Sequence, residues 1–217
     1  MFMQTYSVSE NRVLGRVFFG LFGTLLTALV GVVVGTQIPI ALIPILSIVE
    51  LVLIVVAMFR QRKRAIGFGF VYLFTFISGI TLWPIIHSRA AELGAGLVVE
   101  ALAVSAGAFL IAAIVASRTS MDFSFLGGFL FIGLMAILLM GIISLFVGFS
   151  SVMSLVYALV GIAVFVGYVL FDVNRIARYG ISEQAVPWVV LSLYLDFVNL
   201  FLFVLRLMGV LSSSDRR

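Results

Sequence analysis

Seven long apolar runs, parted by short polar punctuation, occupy the chain from Leu14 to Met208. A run of about 20 apolar residues is the length that crosses a hydrocarbon core as a helix. In hydrocarbon every backbone amide needs an internal partner, and an open sheet edge leaves them unpaired, so each run must be helical. The boundaries read 14–36, 40–59, 65–86, 94–117, 123–147, 152–172 (with a continuation to Ile176) and 186–208. They leave a polar tail at 1–13, a seven-span domain at 14–208 and a second tail at 209–217. The expected class is an all-α polytopic membrane protein with one compact membrane domain.

Charge content supports lipid as the solvent. Charged residues make up 10% of the chain, apolar ones 64%, and the mean hydropathy is +1.32. A soluble domain carries about a quarter charged residues. Arg12 and Arg16 beside the first run resemble a signal peptide. The run is too long for one, however, and no small-residue cleavage pattern follows, so it reads as a retained span. Cysteine is absent, which excludes disulfides, thiol catalysis and cysteine metal sites. The single histidine, His87, excludes paired-histidine zinc motifs and reads as an interfacial residue. No cofactor is implied.

The basic residues set an orientation. Arg12, Arg16, Arg60, Arg62, Lys63, Arg64, Arg118, Arg175 and Arg178 fall on one side of a seven-span chain, nine in all. Arg89, Arg206, Arg216 and Arg217 fall on the other, four in all. The positive-inside rule then predicts a cytoplasmic N-terminus and an external C-terminus. The cluster at 60–64 reads as a loop anchor for anionic headgroups. The bilayer is the expected partner, and nucleic acid is not.

Small residues recur at four-residue spacing, Gly31 with Gly35 in the first span and Ala163 with Gly167 in the sixth. Such stripes let helix backbones approach closely.

Four acids interrupt the apolar runs: Glu50, Glu100, Asp172 and Asp196. Each costs about 2.5 to 3.5 kcal/mol on insertion scales, and such groups usually face the bundle interior and mark a pathway or relay. The bland alternative is a static polar clasp. Asp172 lies near the cytoplasmic end of span 6, and Asp196 lies ten residues into span 7, about 15 Å along its axis. The two can therefore meet in the inner half of the membrane. Tyr168 and Arg175 share a helical face with Asp172, and Ser192 and Asn199 share one with Asp196. Two carboxylates in contact cannot both ionise cheaply and titrate as a unit. The expected role is a proton-controlled gate. Arg60 or Arg62, at the depth of Asp172, is a candidate latch, with interfacial snorkelling as the alternative. Glu50 and Glu100 would add acid to a cation route, because acidic linings favour cations. Calcium prefers carboxylate oxygens, so weak, transient calcium contact falls on Asp172 and Asp196. No loop matches an EF-hand.

Several stretches together resemble the Bax inhibitor family, also called the transmembrane BAX inhibitor motif family. They are Leu46-Ser47-Ile48-Val49-Glu50, Ala65-Ile66-Gly67, Phe76-Ile77-Ser78-Gly79-Ile80, Asp122-Phe123-Ser124-Phe125-Leu126 and Phe171-Asp172-Val173-Asn174. The longest runs from Leu191 through Asp196 to Phe201. Within the family they resemble bacterial, pH-sensitive calcium-leak members, which implies a bacterial inner membrane. The resemblance implies a central C-terminal helix wrapped by six others. It also implies a hydrogen-bonded aspartate pair at Asp172 and Asp196, a span 2 arginine latched to Asp172, and a passive calcium leak regulated by protons. Counted from Glu50, the latch position falls on Gln61, between Arg60 and Arg62, a departure from the family pattern that Arg60 can fill with a small register change.

Other classes fit less well. An intramembrane aspartyl protease also uses one aspartate on each of two spans, but carries Gly-x-Gly-Asp where this chain has Leu193-Tyr194-Leu195-Asp196. A retinal protein needs a lysine within a span, and the only lysine is Lys63. The expectation is therefore no enzymatic activity. An ion-coupled transporter and a non-conducting regulator of cell death or of a membrane protease stay open as alternatives.

Overall fold

The computed structural model describes the backbone of residues 3–61 and 65–214, with side chains for 13–59 and 65–213. Among these residues the chain forms seven long helices. They are α1 (Met3–Gly35), α2 (Ile43–Gln61), α3 (Phe68–Leu93), α4 (Ala95–Arg118), α5 (Leu126–Val147), α6 (Ser151–Tyr179) and α7 (Val186–Ser214). Each includes a stretch long and apolar enough to cross a membrane.

The boundaries differ from the sequence reading where local chemistry intervenes. The α1 helix starts at Met3, well before its apolar span at Val13, because no breaker separates tail from span and helix propagates readily once nucleated. Pro84 stays inside α3, as transmembrane helices tolerate, and α3 ends only before Gly94. The α5 helix begins three residues later than expected, because Asp122 Oδ1 accepts the Ser124 amide at 2.9 Å and holds a turn there. Gly94, Gly148 and Gly180 adopt φ of +94°, +71° and +64° just after α3, α5 and α6. Only glycine reaches that region without strain, so these residues stop the helices sharply.

The chain divides into two compact units. The first comprises Met1–Ser88 with Gly180–Tyr194. Here α1 and α3 cross at backbone distance, since a Cβ on Gly31 would overlap the Phe76 carbonyl and one on Gly79 would overlap that of Ala28. Phe74 meets the buried Tyr194 ring edge-on at 6.3 Å. The second unit comprises Arg89–Tyr179 with Leu195–Arg217. There Phe203 packs on Gly161, and its ring lies 5.2 Å from Tyr157 and 5.8 Å from Phe165. The expected stripe on α6 divides: Gly167 receives Leu130, whereas Ala163 is exposed.

Exposure follows the bilayer. Phe146 is 84% exposed and Phe129 75%, surfaces that in water would be a large interaction patch and that lipid covers at no cost. The α7 helix is the enclosed one. Of its most apolar window 67% is buried, against no more than 39% for any other span.

Candidate functional site

Three buried polar side chains, Thr24, Thr75 and Ser105, are satisfied by their own helix. Thr24 donates to the Leu21 carbonyl at 2.6 Å and Ser105 to that of Ala101 at 2.7 Å. Such local bonds remove the cost of placing a hydroxyl in hydrocarbon. Among the described residues two buried side-chain atoms lack any hydrogen-bond partner, the Tyr194 hydroxyl and Asp196 Oδ2. Both lie on α7, two residues apart.

Asp196 belongs to the second unit and is 5% exposed. Asp172, half-buried on α6 in the same unit, is close enough for its charge to act on Asp196. Tyr168, one turn before Asp172, feels both carboxylates. The structure thus brings Tyr168, Asp172 and Asp196 into one cluster. Asn199 donates its amide to the Leu195 carbonyl at 2.8 Å, which ties it to its own helix. Arg175 is exposed, and Ser192 is half-buried on α7. Arg60 and Arg62, the candidate latch, lie outside the residues whose side chains are described.

The first unit holds a second polar group. Glu50, half-buried on α2, accepts the Thr81 hydroxyl at 2.7 Å. Thr81 also leans on the Ser78 carbonyl at 2.9 Å. Tyr194 lies beside Ser78 and within reach of the Glu50 charge. Glu100, in the second turn of α4, is exposed. Among the described residues no three His, Cys, Asp or Glu side chains gather as a metal-ion site.

Sequence reasoning did not single out Asn174 as a structural element. It is 1% exposed and spends its whole amide: Oδ1 accepts the Phe123 amide at 2.9 Å, and Nδ2 donates to Ala116 and Met121 carbonyls at 3.0 and 3.1 Å. Arg178 donates to the Ser120 carbonyl at 2.6 Å. Tyr179 donates to Asp122 Oδ2 at 2.5 Å. One end of α6 thus clamps the whole α4–α5 turn. The Tyr179 hydroxyl bond, with the Ser124 amide, holds the Asp122 carboxyl down to about 2. The available signal was an asparagine placed in a span, which must find partners.

Arg206, which entered the sequence reading only through the charge count, is built into the packing. Its guanidinium sits over the Phe149 and Tyr157 rings at 5.0 and 4.8 Å, and Nε donates to Ser154 Oγ at 3.0 Å.

Seven spanning helices with acids held inside them define an integral helical membrane protein whose polar groups serve the interior. Residues 10–213 match the family described as inhibitor of apoptosis-promoting Bax1. The chain belongs to this Bax inhibitor family. It is 31% identical to an uncharacterized membrane protein of Vibrio cholerae over 224 residues, covering 99% of this chain and 98% of that one. It is 31% identical over 197 residues to a Helicobacter pylori protein, covering 89% and 84%. It is 35% identical over 147 residues to the Schizosaccharomyces pombe protein named Bax inhibitor 1, covering 67% and 53%.

Proposed function

We propose that the protein is a passive, proton-regulated cation leak that carries calcium, with Asp172 and Asp196 as its protonation switch. The observation that carries this reading is Asp196 Oδ2, buried without a partner and within the field of a second carboxylate. No hydrogen bond supports a charge on Oδ2, so the protonation state of the pair alters the electrostatic balance between α6 and α7. Tyr168 adds a titratable hydroxyl to the cluster. Glu50 supplies acid along a cation route, and Arg60 or Arg62 supplies the latch. The proposed setting is a bacterial inner membrane, with the N-terminus in the cytoplasm.

The test is calcium flux into proteoliposomes across pH, with wild type beside Asp172→Asn and Asp196→Asn. The expected result is a flux down the calcium gradient that needs no coupled ion gradient, and whose pH response flattens in either variant. A pH response unchanged in both variants overturns the switch. Purified protein that passes no calcium at any pH supports instead a non-conducting regulator, the reading toward which the family description and the yeast relative's name lean. Uphill movement driven by a proton gradient supports a transporter.

A further inference from the structure

Three spans of the first unit begin around one recess. Its volume is about 610 Å³, within the range of about 300 to 1,000 Å³ typical of small-molecule sites. Phe19 of α1 and Phe68 and Tyr72 of α3 wall it, and Arg16 and Glu183 form its polar lip. Arg16 lies at the start of the first apolar span, which opens at Val13, Phe68 is the first residue of the third, and Glu183 the first of the seventh. Three span ends at one opening put that lip at headgroup depth.

The lip carries both signs of charge. Arg16 Nη1 and Glu183 Oε1 pair at 2.5 Å, with side chains 61% and 76% exposed. That contact uses one nitrogen of a guanidinium with five N–H donors and one oxygen of a carboxylate that accepts at two. The wall beneath is aromatic and partly uncovered: Phe19 is 78% exposed, and Phe68 stacks on Tyr72 at 5.9 Å. A Cβ added to Gly15, which also lines the recess, would meet nothing within 4 Å. The space beside α1 is therefore open.

We propose that this recess binds a phospholipid whose headgroup carries a phosphate and a primary ammonium. The phosphate pairs with the Arg16 fork, the bidentate geometry that guanidinium favours. The ammonium donates to Glu183, and the upper acyl chain covers Phe19 and Phe68. A choline headgroup has no N–H to offer Glu183. A glycerol headgroup carries no cation, and its net negative charge is opposed by Glu183. The recess thus selects phosphatidylethanolamine over both. The proposal is independent of the leak reading.

Tryptophan fluorescence tests it. The chain has two tryptophans, and Trp188 lies two residues beyond Val186, which lines the recess. In a Trp83→Phe background, Trp188 is the only reporter. The protein is reconstituted into phosphatidylcholine vesicles containing a rising share of one acyl-dibrominated lipid: phosphatidylethanolamine, phosphatidylglycerol or phosphatidylcholine. The expected result is quenching by the brominated ethanolamine lipid at a several-fold lower share than by the other two. In Arg16→Gln, Glu183→Gln and Gly15→Leu the three lipids should quench alike, while circular dichroism stays at the wild-type helix content. Equal quenching by all three lipids in the unsubstituted site overturns the proposal. So does a preference for the glycerol lipid, or an ethanolamine preference that survives both charge substitutions.

Discussion

Asn174 accepts the Phe123 amide at 2.9 Å across 51 positions of sequence, from a side chain that is almost wholly buried. That bond, with two more from the same amide, is the buried part of the clamp between the α4–α5 turn and α6. Asn174→Ala leaves the Phe123 donor and two carbonyls without their partner. Stranding a buried polar group costs about 1 to 3 kcal/mol. The expected outcome is a clear fall in the thermal midpoint of the detergent-solubilised protein. Arg178→Ala, which loses a bond in an exposed place, should cost less than Asn174→Ala in the same assay.

The glycines of the spans divide by what surrounds them. A Cβ on Gly79 would collide with the Ala28 backbone, which cannot retreat, whereas one on Gly107 would meet nothing within 4 Å. Gly79→Ala is expected to destabilise by about 1 to 3 kcal/mol, the range for forced overpacking. Gly107→Ala is expected to be neutral or to stabilise by up to about 1 kcal/mol through helix propensity. Thermal unfolding of the two variants side by side measures both signs.

The seven spans and the membrane class were legible because hydrocarbon leaves a chain so few options: length and hydropathy alone locate each helix. The two aspartates were legible for the same reason, since an acid in an apolar run is costly and conspicuous. What stayed hidden depends on direction rather than composition. Periodicity marked Gly31 but paired Ala163 with Gly167, whereas Gly161 is the residue that admits Phe203. Arg206 entered only the count of external charges, because nothing local shows that Phe149 and Tyr157 hold it. Tyr194 looked like one more aromatic in a span, and its unpartnered hydroxyl emerges only from the packing around it.

Asp122 separates two origins of pH dependence. Its carboxyl is held from the ordinary 3.8 down to about 2, chiefly by the Tyr179 hydroxyl and then by the Ser124 amide. A depressed folded value means that the contribution to stability is present above 3.8 and is lost as pH falls through about 2. Between pH 5 and pH 8, roughly the window in which cellular switches act, Asp122 does not change charge. Asp122→Asn is therefore expected to leave the pH midpoint of calcium flux unmoved, in contrast to Asp196→Asn. A shifted midpoint in Asp122→Asn would place the sensor in the α4–α5 turn.

Glu50 and Thr81 allow charge to be separated from structure. Glu50→Gln keeps an oxygen to accept the Thr81 hydroxyl, so the bond at 2.7 Å survives while the charge is lost. Thr81→Val removes the donor and keeps the charge. Interhelical hydrogen bonds in membranes are worth about 0.6 kcal/mol, with a maximum of about 1.7, so Thr81→Val should lower stability only slightly. If the acid lines a cation route, Glu50→Gln cuts calcium flux several-fold with an unchanged thermal midpoint, because the route loses the charge that concentrates cations. Thr81→Val then keeps most of the flux. Equal loss of flux in both variants, each with a lowered midpoint, would make Glu50 a clasp between α2 and α3 and remove it from the ion path.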